Sequence, residues 1–106
     1  MAYYLVQLRD VAPGSSDGID HAPFIDDLVA RNRILLGGTF TQEPSPGVGA
    51  GYVLWCDNEA EAAAVAAGDP LVGAGACEAV ISLWELVGVN LSAVDPPLAR
   101  GTVPSV

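Results

Sequence analysis

Residues 3–9, Tyr-Tyr-Leu-Val-Gln-Leu-Arg, are aromatic, aliphatic and β-branched and end at Asp10, which predicts a first strand. After a loop dense in turn formers, the period becomes helical. At about 100° per residue, His21, Phe24, Ile25 and Leu28 fall in one stripe, so a helix reaching to about Asn32 should turn that stripe inward. Asp17 or Asp20 is placed to cap it, and Pro23 is tolerated because it lies in the first turn. Residues 34–41 read as a second strand interrupted by Gly37 and Gly38, a sign of a bulge or a close backbone approach. Two prolines and three glycines make 42–51 a loop, followed by a third strand at 52–56. Asp57 or Asn58 then caps a helix over Glu59–Ala67, which carries acids in its first turn. Gly68 stops that helix and Pro70 prevents its continuation. A last strand covers 77–87. Residues 88–106 hold three prolines and no period, so an extended tail is expected, strapped across a neighbouring copy.

The order β-α-β-β-α-β is the α+β plan called split-βαβ or ferredoxin-like, here in one domain over 1–87 with the tail outside it. It places the first strand centrally, flanked by the third and fourth. Cys56 and Cys77 then sit on strands that are not neighbours, which argues against a disulfide. Alternation within the strands is weak: Val53 and Trp55 oppose Tyr52, Leu54 and Cys56, and Val80, Trp84 and Leu86 oppose Ala79, Ile81 and Leu83. Two helices cover one face of such a sheet, so the second apolar face calls for a homodimer packed sheet to sheet.

Composition removes several classes of function. A chain of 106 residues with 51% hydrophobic content is not disordered, and it has no apolar run of about 18 residues to cross a membrane. The start, Met1-Ala2-Tyr3-Tyr4-Leu5, has no basic region leading into an apolar core, so no signal peptide is expected and a cytoplasmic location is the default. Thirteen acidic residues against four basic ones, all arginine, give a net charge of −9. That charge repels nucleic acid and anionic membranes, and neither is expected as a partner. The cysteines lack zinc or redox spacing, and a single histidine cannot build a multi-histidine site, so no metal and no other cofactor is expected. There is no nucleophile elbow, phosphate loop or dinucleotide fingerprint. Gly47-x-Gly49-x-Gly51 precedes a strand instead of a helix and reads as a loop.

His21 and the carboxylates remain. An inward histidine at a helix start sits beside unpaired N–H groups and the positive end of the macrodipole, which disfavour imidazolium and leave the ring ready to accept a proton. Asp69 lies where the second helix ends, pinned by Pro70. If residues 71–76 fold back suitably, it can orient the imidazole. A core histidine and a helix-stop aspartate are the structural alternatives left open by the spacing. Over 3–87 the chain resembles the YciI-like (YCII-related) family of small dimeric α+β-barrel proteins. The resemblance is carried by the short first strand, His21 and its amphipathic helix, the segment Ala30-Arg31-Asn32-Arg33-Ile34-Leu35-Leu36-Gly37-Gly38, the helix Glu59–Ala67 and the ending Asp69-Pro70. It implies that His21 and Asp69 form a catalytic centre. One related protein is a dehydrochlorinase of a chlorinated hydroxyquinol, and the barrel is similar to that of muconolactone isomerases. The family's frequent Gly-Pro after the second strand is replaced here by Gly37-Gly38-Thr39-Phe40.

The reading that results is a cofactor-independent lyase, dehydrochlorinase or isomerase acting on a small cyclic or aromatic metabolite. His21 is the expected general base and then acid, and Asp69 its orienting partner. Phe40, Gly38, Arg9, Trp55 and Trp84 are the candidate substrate contacts. A non-catalytic ligand-binding or assembly module is the alternative, and cofactor-free oxygenation of a quinol a third possibility.

Overall fold

The computed structural model describes residues 1–98. Its elements are β1 (Ala2–Asp10), α1 (Ala22–Ala30), β2 (Ile34–Thr39), β3 (Val48–Cys56), α2 (Glu59–Ala67), a one-turn helix α3 (Pro70–Gly73) and β4 (Cys77–Trp84). Short 3-10 turns follow at Leu91–Ala93 and Pro96–Leu98. The four strands form one antiparallel sheet in the order β2-β3-β1-β4. This is the ferredoxin-like α+β arrangement, with β1 between β3 and β4.

Pleating decides what each strand residue faces. Tyr4, Val6 and Leu8 of β1 are buried, and they stand opposite Leu54, Tyr52 and Ala50 of β3. Ile25 and Leu28 of α1, Ala62 and Ala66 of α2 and Leu71 of α3 close over that face and complete the core. The alanines, with Gly68 beyond them, let the helices lie close. A Cβ at Gly68 would stand 3.5 Å from the Phe24 ring.

Local signals explain the element ends. Asp20 Oδ1 accepts from the Ala22 N–H, while His21 is the cap residue itself and its ring makes no capping bond. Asp17 has no part in the cap, and its own N–H closes a turn on the Gly14 carbonyl. Helix α1 stops where Asn32 takes φ 55°, and the Arg33 N–H returns to the Leu28 carbonyl. Asn58 Oδ1 accepts from the Glu61 N–H and Glu61 Oε2 from the Asp57 N–H, a reciprocal arrangement that starts α2.

Three boundaries differ from expectation. Strand β3 begins at Val48, four residues before 52, because the ladder with β1 continues through Ala50 and Gly51. Its glycines serve that ladder: a Cβ at Gly51 would come within 3.0 Å of the Val6 carbonyl. Strand β2 ends at Thr39 and β4 at Trp84, each short of the expected limits of 41 and 87. The tail turns at Leu91–Ala93, where Asn90 Oδ1 accepts from the Ser92 N–H, and its Leu91 and Leu98 are exposed. The part of the expected tail beyond residue 98 lies outside the described residues.

The opposite face of the sheet carries Tyr3, Trp55, Trp84, Leu36 and Phe40, the last three 47%, 62% and 42% exposed. Cys56 and Cys77 are free thiols. No helix among the described residues is long and apolar enough to cross a membrane.

Candidate functional site

Asp69 is fully buried, and among the described residues it is the one charged side chain in that class. Its position follows from its neighbours. Pro70 opens α3 and keeps the preceding residue extended, at φ −66° and ψ 130°. Buried Leu71 anchors the turn. A carboxylate without water needs donors. Oδ1 accepts from the Leu71 N–H at 2.9 Å, and Oδ2 accepts from the Tyr52 hydroxyl at 3.3 Å. His21 Nδ1 stands 3.4 Å from the same Oδ2.

His21 enters from the other side, at the start of α1, with its side chain 13% exposed. A neutral ring facing a carboxylate through Nδ1 carries its proton there. Nε2 then keeps the lone pair that a ligand can meet. Tyr52, on β3, packs against Phe24 of α1 with ring centroids 6.1 Å apart. Burial, the adjacent Asp69 charge and the hydrogen bond all push its hydroxyl above the ordinary tyrosine range, so it remains a donor. In the sequence Tyr52 is one aromatic in an apolar strand, and nothing marks it as polar in function.

His21 lines a cleft of about 150 Å³ at the carboxyl end of β1. Asp10, Ser16, Thr39 and Cys77 supply its polar groups, and Leu8, Ile19 and Leu71 apolar wall. The loop that carries Ser16 and Ile19 is tied down by Ser15, whose Oγ donates to the Ala76 carbonyl at 2.6 Å. Cys77 Sγ donates to Asp10 Oδ1 at 3.3 Å. Burial, that bond and the Asp10 charge push the thiol up to about 12, and burial raises the Cys56 thiol against the opposing pull of Arg33. Neither cysteine is a nucleophile at neutral pH. Among the described residues no three of His, Cys, Asp and Glu gather as a metal site.

The structure brings His21 and Asp69 together and leaves the five expected substrate contacts elsewhere. Arg9 pairs with Glu78 at 3.7 Å, Gly38 stands opposite Gly51, and Phe40 lies beside Gly51. Trp55 packs on Tyr3 at 4.6 Å, and Trp84 is the register partner of Tyr3. The reason is strand parity. Arg9 and Asp10, like Gly38 and Thr39, are sequence neighbours on opposite faces, and Asp10 and Thr39 are the ones that reach the cleft. Trp55 does line a second cleft with Tyr3 and Ile34, at the other end of β1, but that cleft holds no acid or base.

The model of the YCII-related domain matches residues 16–85, two thirds of the chain. The chain belongs to the YCII-related family. No curated protein matches it. Among solved structures it is similar to 5-chloro-2-hydroxyhydroquinone dehydrochlorinase from Burkholderia phenoliruptrix AC1100, in complex with 2,5-dihydroxybenzoquinone, with a TM-score of 0.60 and 16% identity. The match covers 78% of this chain and 93% of that one. At this identity the likeness is one of fold.

Proposed function

We propose that this YCII-related protein is a cofactor-independent enzyme that uses His21 and Asp69 as an acid–base pair on a small cyclic or aromatic substrate, in a lyase, dehydrochlorinase or isomerase reaction. The observation that carries the reading is the His21 imidazole, on a cleft wall, backed through Nδ1 by a carboxylate that water does not reach. The geometry separates two tasks. Nε2 takes a proton from the substrate, and Asp69 steadies the imidazolium that results. In an elimination, the electron pair of the broken bond to hydrogen forms the new double bond and expels chloride. In an isomerisation, His21 returns the proton at another atom. The cleft suits a single ring, since a cavity of about 150 Å³ can hold benzene. The structural neighbour, which acts on a chlorinated hydroxyhydroquinone, supports a substrate of this size.

The test is turnover of chlorinated hydroquinones, enol-lactones and cyclic ketones by the wild type and by His21→Ala. A loss of about 10²- to 10⁴-fold in kcat is expected. Undiminished turnover in the variant would overturn the acid–base role, and tight binding without turnover in the wild type would favour a binding module. We further propose that the protein is a homodimer, joined through the sheet face that carries Leu36, Phe40, Trp55 and Trp84. In that assembly, Gly38 and Arg9 also lie at or beside the interface. Two free buried thiols in place of a disulfide accord with a cytoplasmic setting.

A further inference from the structure

Asp10 is the acid of the cleft that the acid–base pair does not use. We propose that Asp10, held in place by the Cys77 thiol, is the specificity-determining residue of the cleft, selecting an uncharged hydroxyl-bearing ring and rejecting a ring carboxylate. This rests on the proposed reading that the His21 cleft is the ligand site.

Two observations support it. The first is the charge around the cleft. Asp10 is on its wall and Asp69 lies behind His21, and among the described residues no arginine lines it. The chain has no lysine. Of its four arginines three are described, and each faces a carboxylate elsewhere: Arg9 on Glu78, Arg31 on Asp27, Arg33 on Glu61. With His21 neutral, a bound carboxylate would meet like charge with no described arginine to offset it. The second is the hydrogen-bond inventory. A carboxylate accepts at about four lone-pair sites. Cys77 uses one, on Oδ1, and no other described group donates to the Asp10 side chain. Oδ2 is therefore open to a donor, and a phenolic or alcoholic O–H on a ligand supplies one. Ser16 and Thr39 donate or accept alike, so they serve a hydroxyl and a carboxylate equally. The discrimination falls to Asp10.

The single histidine makes the test direct, because its imidazole NMR signals report occupation of the cleft without ambiguity of assignment. The full chain is titrated at neutral pH, without oxygen, with hydroquinone and with 4-hydroxybenzoate, which differ by one hydroxyl replaced by a carboxylate. Hydroquinone is expected to shift the His21 signals saturably and to bind at least tenfold more tightly. Asp10→Asn should shrink that preference at least tenfold, mainly by admitting the carboxylate. Cys77→Ala, which keeps the acid but frees it, should shrink it several-fold and serves if Asp10→Asn fails to fold. Glu78→Gln, on the other face, should leave it unchanged. Equal or tighter binding of 4-hydroxybenzoate by the wild type, silence of His21 toward hydroquinone, or an unaltered preference in Asp10→Asn or Cys77→Ala would overturn the proposal. The readout is binding, so unchanged turnover in His21→Ala would defeat the acid–base reading and leave this selectivity standing.

Discussion

Asp69 is fully buried, and its oxygens are shared among a backbone N–H, a phenol and an imidazole. Removing the phenol is the cleanest probe of that balance. Tyr52→Phe keeps the ring against Phe24 and deletes one donor to a buried carboxylate, which costs about 1–3 kcal/mol. Urea unfolding measures this, and a change below a few tenths would show that the bond carries no weight. At this scale the sequence is informative about residue type, but it offers the His21–Asp69 partnership only conditionally, through the fold-back of 71–76 and the family resemblance. His21 stands out as the single imidazole on an apolar stripe, and Asp69 as an acid pinned by proline. Their contact spans 48 positions, and no local pattern encodes it. Tyr52 and Asp10 carry no functional signal in the sequence for the same reason: each enters the site only through a partner far along the chain.

Among the elements, the region from β2 to β3 is where expectation and structure part. The density of Pro and Gly over 42–51 reads as a loop, yet Val48 to Gly51 are in the ladder, because small residues let β2, β3 and β1 approach. The adjacent glycines of β2 show how differently two like residues can be used. A Cβ at Gly37 would lie 2.8 Å from the Tyr52 Cβ, whereas one at Gly38 meets nothing within 4 Å. Gly37→Ala should therefore cost about 1–3 kcal/mol by overpacking, with Tyr52 displaced. Gly38→Ala should cost far less. Paired denaturation curves decide it, and equal losses would refute the account. The one-turn helix α3 was also unforeseen, being shorter than any hydrophobic period can reveal, although Gly68, Asp69 and Pro70 marked its start.

For the whole molecule, element order is sufficient for the ferredoxin-like plan, because each strand shows in its aromatic and β-branched composition, α1 in its apolar stripe and α2 in its caps and its stop at Gly68. Which face of a strand reaches the cleft was not legible, since weak alternation leaves parity undefined. The exposed apolar sheet face predicts association: light scattering after size exclusion should show a dimer at micromolar concentration, and a stable monomer would refute it. Alkali tests the buried acids together. The Cys77 thiol titrates near 9.0 when exposed and is pushed up to about 12 in the fold, and Tyr52 is raised as well. Above pH 9 the unfolded chain therefore loses protons that the folded chain retains. Stability should be fully present below pH 9 and should fall as pH rises toward 12. Cys77→Ala should flatten the early part of that fall, as read from urea midpoints across the range.

The ties that shape the cleft all join distant parts of the chain: Asp10 to Cys77, Ser15 to Ala76, His21 to Asp69. During synthesis the imidazole emerges long before its carboxylate, and the loop that carries it has no anchor until β4 begins. A nascent or clipped chain thus has His21 without its buried carboxylate partner. The His21–Asp69 pair forms with the last strand and comes apart with the first global opening, so exchange of the Leu71 amide should track the unfolding of the entire domain.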